Sequence, residues 1–107
     1  MMNELVKKWF PAVQSKDLPW SYEGVAEVFT MTSVVEVGEG TVRVGGRYQV
    51  IGDGDFGPEV ISEDEMQFDL PFRPGDLEDP DFWAEGIEKE VRREHPGRGP
   101  LPIEACL

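Results

Sequence analysis

Two consecutive segments with strand-like patterns, joined by a glycine-containing loop, constrain the fold of this chain most strongly. Residues 25–37 are rich in β-branched residues, and residues 41–51 alternate between apolar and polar side chains. The intervening Gly38-Glu39-Gly40 has the length of a common hairpin loop. We therefore predict a β-hairpin over about 25–37 and 41–51, with one buried face.

The alternation within the second segment predicts which side chains face the core. The buried set is Val42, Val44, Tyr48 and Val50, and the opposite set is Thr41, Arg43, Arg47 and Gln49. Gly45-Gly46 interrupts this pattern, and a bulge or a short turn would fit there.

The clearest helical pattern covers about residues 80–94. Asp79 is a suitable N-cap, and Pro80 is favoured at the first helical position. Trp83, Ile87 and Val91 recur every four residues and form one apolar face. Pro96-Gly97 is expected to end the helix.

A shorter helix is predicted near the N-terminus, over residues 4–10. Its apolar face contains Leu5, Val6, Trp9 and Phe10, and Pro11 would end or kink it. At the other end of the chain, residues 96–107 are expected to form an extended tail. This tail would dock through Leu101, Ile103 and Leu107.

The middle of the chain gives a weaker signal. Gly52-Asp53-Gly54-Asp55 predicts a turn, and residues 59–61 fit a short strand. Ser62-Glu63-Asp64-Glu65 matches a capping box, which favours one helical turn followed by extended chain. The alternative is a strand over residues 66–70, where apolar side chains alternate. Residues 71–80 contain three prolines and are predicted to be loop.

Together these elements predict an α+β fold in a single domain over residues 1–107. The hairpin and one or two short strands would form a small antiparallel sheet, with an N-terminal helix and a C-terminal helix against its apolar face. A chain of 107 residues is long enough for one hydrophobic core.

Acidic residues are concentrated in one third of the chain. The sequence holds 22 Asp and Glu against 10 Lys and Arg, a net charge of -12. Residues 53–88 contain 13 of the acids and one basic residue, Arg73. Large apolar residues such as Phe56, Ile61 and Phe68 are interleaved with them, so we expect an ordered acidic surface rather than a disordered tail.

The composition excludes several classes of site. One cysteine, Cys106, and one histidine, His95, cannot form an intrachain disulfide or a multi-cysteine zinc centre, and no nucleophile motif surrounds any serine. The segment Asp53–Glu59 resembles the start of a Ca²⁺ loop but has Pro58 where the loop needs glycine, so a β-turn is the better interpretation. We therefore predict no enzyme activity, no catalytic residue, no metal site and no cofactor.

The charge favours a protein partner. A strongly acidic chain is not suited to direct nucleic-acid binding, but a rigid acidic surface can dock on a basic protein, such as a nucleic-acid-binding enzyme. By charge and size alone, the chain is analogous to phage-encoded inhibitors of host defence and to immunity proteins, some of which act as DNA or RNA mimics. An assembly subunit of a phage particle is the main alternative, and a small divalent-metal-binding domain or enzyme is a less favoured one.

The predicted partner-binding residues combine acidic and aromatic side chains. The acids are Asp53, Asp55, Glu59, Glu63, Asp64, Glu65, Asp69, Asp76, Glu78 and Asp81. Asp79 is a weaker candidate because it is the expected helix cap. Trp20 and Tyr22 lie in a predicted loop and are residue types common in interface hot spots. No apolar run approaches the length of a membrane span, so we expect a cytoplasmic protein that does not bind membranes.

Overall fold

The computed structural model describes residues 2–21, 23–97 and 99–107, and it has the predicted α+β fold. The helices are α1 (Met2–Trp9) and α2 (Pro80–Glu94). The strands are β1 (Val25–Glu36), β2 (Thr41–Gly54), β3 (Gly57–Pro71) and β4 (Ile103–Ala105). Short 3₁₀ turns cover Ser15–Asp17 and Asp76–Glu78.

The four strands form one mixed sheet in the order β3-β2-β1-β4. β2 is antiparallel to both β1 and β3, as predicted, but β4 runs parallel to β1 and pairs Ile103 with Phe29. The purely antiparallel sheet was therefore wrong at one edge. A parallel neighbour needs a crossover connection, and α2 with the following loop provides it.

The predicted hairpin is confirmed with small changes at its ends. β1 ends at Glu36 and β2 continues to Gly54, three residues beyond the predicted limit. Gly38 and Gly40 adopt the positive φ values that the loop requires. The bulge, however, lies in β1 at Thr32, opposite Gly45-Gly46, rather than in β2 itself.

The helical turn predicted in the middle of the chain was wrong, whereas the short strand predicted at residues 59–61 lies within a longer strand. Residues 57–71 form one long strand, β3, which pairs with β2 along its whole length, so Ser62–Glu65 does not form a helical turn. A capping box is a local pattern, whereas the alternation of Met66, Phe68 and Leu70 places three apolar groups on the core side only in a strand. The rejected alternative, a strand over 66–70, was the correct one.

Helix α2 has the predicted bounds and caps. The side chain of Asp79 accepts a hydrogen bond from the backbone N–H of Asp81 at 3.0 Å. Trp83, Ile87 and Val91 are fully buried against the sheet. We call the side of the sheet that they cover the helix face, and it presents Val44, Tyr48 and Phe68, among others.

The opposite side of the sheet is called the open face, and it is covered only in part. There, Leu18 packs on Ala26 and Val28 of β1. Arg43 and Arg47 of β2 lie on the same side, with Glu65 of β3 opposite Arg47.

Both ends of the chain pack on the core. The N-terminal helix covers Met2–Trp9 instead of 4–10, and its Val6 is fully buried. The predicted extended tail contains β4, and the backbone N–H of Ala105 donates to the carbonyl of Phe10 at 2.8 Å. Leu101 is buried, and Ile103 and Leu107 pack against the core as expected. No helix in the described part of the chain combines the length and the apolar character needed to cross a membrane.

Candidate interaction surface

The outer part of the β2–β3 hairpin carries the densest run of acidic residues. We call residues 53–65 the acidic arm. It contains six acids and no basic residue. A two-residue turn at Asp55-Phe56 joins the strands, so the turn predicted at residues 52–55 was wrong in position, because residues 52–54 belong to β2. Its six acids are Asp53, Asp55, Glu59, Glu63, Asp64 and Glu65.

The arm also exposes large apolar side chains. Phe56 at the turn is fully exposed, and Val60 and Ile61 are 50% and 54% exposed. Helix α2 ends at Glu94, and the following His95 stacks on Tyr48, so the hairpin continues past the part of the sheet that the helix covers. The arm therefore offers apolar contact area together with its carboxylates.

The three consecutive acids of the arm lie on different faces. Successive side chains of a strand point to opposite sides, so Glu63 and Glu65 lie on the open face and Asp64 on the helix face. Asp64 Oδ2 lies 2.8 Å from Nε2 of His95. Glu65 is opposite Arg47 in the ladder, but the ion pairs of the described residues include none between them. Glu63 accepts only a long hydrogen bond from Nε2 of Gln49, at 3.5 Å, and both carboxylates are exposed, so their charges remain available to a partner.

Asp69 differs from the arm residues because its charge is used within the sheet. Nε of Arg43 donates to Oδ1 of Asp69 at 2.8 Å, and a second guanidinium nitrogen donates to Oδ2 at 3.2 Å. The hydrogen bond from Arg43 lowers the pKa of Asp69, and Asp69 in turn raises the pKa of Arg43.

The remaining acidic candidates lie at the opposite end of β3. Asp76, Glu78 and Asp81 follow Pro71, and 15 residues of strand span about 50 Å at ~3.3 Å per residue. This agrees with the 48 Å long axis of the molecule. Asp76 also accepts a hydrogen bond from the backbone N–H of Arg73 at 2.8 Å. The ten predicted acids therefore do not form one surface: six lie in the arm, three follow Pro71, and Asp69 lies between these groups.

The aromatic candidates lie elsewhere. Trp20 is half-buried and lines a groove of about 660 Å³. Glu27, Tyr48 and Val50 also line this groove, together with the prolines of residues 96–102. Tyr22, the second aromatic candidate, lies outside the described residues.

Beside this groove is a polar network that the sequence interpretation missed. Glu27 accepts hydrogen bonds from two guanidinium nitrogens of Arg92, at 2.5 and 2.8 Å, and from the hydroxyl of Tyr48 at 2.5 Å. The ring of His95 stacks on Tyr48 with centroids 4.1 Å apart. This network ties the end of α2 to β1 and β2.

Burial and hydrogen bonding shift the pKa values in this network. Burial alone would raise the pKa of Glu27, but the hydrogen bonds from Arg92 and Tyr48 outweigh it and lower the pKa. Burial, together with the hydrogen bond to Glu27, raises the pKa of Tyr48 to about 12. The network therefore favours an ionised Glu27 and a neutral Tyr48.

One sequence signal could have revealed part of this network. The series Trp83, Ile87, Val91 continues at the same spacing to His95, which places the histidine on the buried side of the helix end. Glu27 has the strand parity of Phe29 and therefore faces the helix as well. An acid and a histidine on a buried side need polar partners.

One group of side chains has the composition of a cation site. Donor atoms of Asp64, Glu94 and His95 lie within 4.8 Å of one another. Carboxylate and imidazole donors suit zinc, but Asp64 and His95 already bond each other, and Glu94 is exposed. The contact between Asp64 and His95 is enough to explain why they lie together, and the absence of a metal site stays a prediction.

Comparison of the chain with protein-family models, with curated proteins and with solved structures found no match.

Proposed function

We propose that this protein is a small acidic binding protein that docks on a basic partner protein through the acidic arm. The observation that carries the proposal is the arm itself: six carboxylates, no basic residue, and exposed Phe56, Val60 and Ile61 on one projecting hairpin. Charged groups at the rim steer the encounter, and apolar side chains supply contact area that excludes water.

The spacing of the charges supports protein docking better than imitation of a nucleic-acid duplex. The β3 part of the arm, residues 57–65, is about 30 Å long at ~3.3 Å per residue. The arm has four acids in this part and two more, Asp53 and Asp55, at the turn end. Six carboxylates along that length give about one charge per 5 Å, whereas duplex DNA carries one per ~1.7 Å. The acids also lie on both faces of the sheet. We therefore propose a basic protein surface as the target, with a nucleic-acid-binding enzyme or complex as the class of partner that presents one.

The test separates the position of the charges from their number. The arm variant is E63K/E65K, which omits Asp64 because that residue bonds His95. The matched control is E39K/E85K, which changes the net charge equally at two exposed positions outside the arm. Tagged protein is used to capture partners from lysate at low and at moderate salt.

The proposal predicts one stoichiometric basic protein that wild type and the control variant capture and that salt releases. The arm variant should lose it, by at least tenfold in affinity once the partner is purified. Equal capture by all three proteins would contradict the proposal, provided that circular dichroism shows each to be folded.

A second candidate function is assembly, as in a structural subunit. The fully exposed Phe56 at the turn favours it, because a projecting apolar tip can insert into another subunit. Assembly predicts concentration-dependent mass in sedimentation experiments that Phe56→Ser abolishes. A constant monomer mass would leave the docking function as the better account.

A further inference from the structure

Strand β3 forms one edge of the sheet. In the order β3-β2-β1-β4 it pairs with β2 on one side only, and no other described strand lies beside it. An edge strand presents unpaired backbone N–H and C=O groups, which can pair with another extended chain. At 15 residues, β3 is the longest of the described strands.

The hydrogen bonds at the end of the hairpin show which residues of β3 point outward. The carbonyl of Gly40 accepts from the N–H of Phe72 at 2.9 Å, so the even-numbered residues before Phe72 direct their backbone groups toward β2. Odd-numbered residues therefore point outward as far as the bulge beside Val50. Pro71, which has no N–H to donate, occupies one of these outward positions.

The stretch with unpaired backbone groups has two distinct sides. Its outward-directed residues are Glu63, Glu65, Gln67 and Asp69, and their side chains lie on the open face. On the helix face of the same stretch, Met66 and Phe68 are half-buried. A chain added at this edge would thus meet carboxylates on the open face. On the helix face it would meet the apolar Met66 and Phe68 beside Asp64, whose carboxylate bonds His95.

We infer that residues 63–69 of β3 bind an extended segment of the partner in which basic and apolar residues alternate. The segment adds as a fifth, antiparallel strand, with basic side chains opposite Glu63 and Glu65 and apolar ones beside Met66 and Phe68. The inference rests on the proposed function and names the chemistry of the partner at the arm.

Charge complementarity selects this occupant over a second copy of the chain. Antiparallel pairing of two β3 strands at this edge would bring Glu63 and Glu65 close to the same acids of the other copy. Like charges directly opposite each other destabilise a strand pair, and charged edges are a common defence against self-pairing. A segment with lysine or arginine at alternate positions meets no such repulsion.

The test uses synthetic peptides of nine residues in which lysine and valine alternate. In an antiparallel pair, residues directly opposite each other share a face, and every second pair exchanges hydrogen bonds. A residue opposite an outward-directed residue of β3 belongs to such a hydrogen-bonded pair. The lysines opposite Glu63 and Glu65 would therefore direct their N–H groups to β3, and the valines would direct theirs away. One peptide is N-methylated at the lysines, one at the valines, and one has the same composition with all lysines at one end.

We expect the unmodified peptide and the valine-methylated peptide to shift the backbone amide NMR signals of residues 63–69. The lysine-methylated peptide should bind at least tenfold more weakly, although its charge and apolar content are the same. Equal binding of both methylated peptides, or no binding of any peptide, would overturn the edge inference. Neither outcome overturns the proposed function, which fails only if the E63K/E65K variant still captures the basic partner.

A substitution in the protein gives a second test of peptide binding at the same strand edge. Gln67→Pro removes one outward N–H without changing the charge, and it should weaken peptide binding at least fivefold. Because that N–H does not bond β2, the fold should persist, as it does with Pro71 four residues further along β3. Gln67→Thr keeps the N–H and is the matched control. Equal binding by the two variants would contradict the inference.

Discussion

At the scale of single residues, the ion pair of Glu27 with Arg92 is the best-protected charge interaction among the described residues. The side chains are 22% and 15% exposed, whereas Arg43 and Asp69 are 43% and 46% exposed. Exposed pairs contribute little, but removing one member of a largely buried pair leaves the other without a partner. Glu27 should therefore matter for stability more than any acid of the arm.

We predict that Glu27→Gln lowers the free energy of unfolding by about 1.5–3 kcal/mol, the range for hydrogen bonds to charged groups. The pKa of Glu27 is lowered below its ordinary value of 4.5, so its contribution is present above that pH and lost as pH falls through the lower folded value. Urea denaturation at several pH values measures both effects.

The variant should consequently lose less stability than wild type as the pH falls from neutral to below 4.5. Glu39→Gln, at an exposed loop position, is the control and should leave the pH profile unchanged. Parallel profiles for wild type and Glu27→Gln would show that Glu27 does not contribute this pH dependence.

At the scale of elements, Gly46 allows β1 and β2 to pack at the bulge. A Cβ atom on Gly46 would collide with the carbonyl oxygen of Thr30 and would lie 2.6 Å from Cζ of Phe29. The first is a backbone atom and the second belongs to a fully buried ring, so neither can move freely. The absence of a side chain at Gly46 therefore lets β1 pack closely against β2 opposite the bulge.

We predict that Gly46→Ala destabilises the protein by about 2–3 kcal/mol, the upper part of the usual range for overpacking. Gly45→Ala is the matched neighbour. Its Cβ would meet Oγ of Ser33 at 2.5 Å, a side-chain atom that can rotate away, so the loss should be smaller. Thermal or urea denaturation measures the difference, and equal losses would contradict this explanation.

The elements that the sequence predicted well are those whose packing pattern and end signals agree. In α2, the cap at Asp79, the proline at the first position and the apolar spacing all indicate the same helix. In β3, the capping-box pattern of Ser62–Glu65 competed with the strand alternation of residues 66–70. Pairing with β2 decided the outcome, and such long-range pairing is not visible in a local window.

The candidate site was predictable only in part, for the same reason. The sequence identified the acidic residues. That Glu63 and Glu65 lie on the opposite face of the sheet from Asp64 follows only once β3 is known to be a strand. The distance that separates Asp76 and Asp81 from the arm depends on the length of β3. The partnership of Asp69 with Arg43 depends on the register with β2, which no local pattern specifies.

At the scale of the whole molecule, the acidic arm makes one end of the elongated protein different in charge and exposed apolar area from the other. The molecule measures 48 × 25 × 21 Å, and the arm lies toward one end of β3, while Asp76, Glu78 and Asp81 follow the other end. A carboxylate-rich projection makes the local electrostatic potential more negative and speeds encounter with a basic surface, an effect that salt reduces. The arm can therefore meet a partner while the helix-covered core stays outside the contact.

The footprint of the captured basic partner, measured by hydrogen–deuterium exchange, tests this account most directly. We predict slower amide exchange in the acidic arm, residues 53–65, when the partner is bound, and unchanged exchange in residues 76–81. Slower exchange confined to residues 76–81, or to the groove beside Trp20, with the arm unaffected, would contradict the claim that the arm is the binding surface.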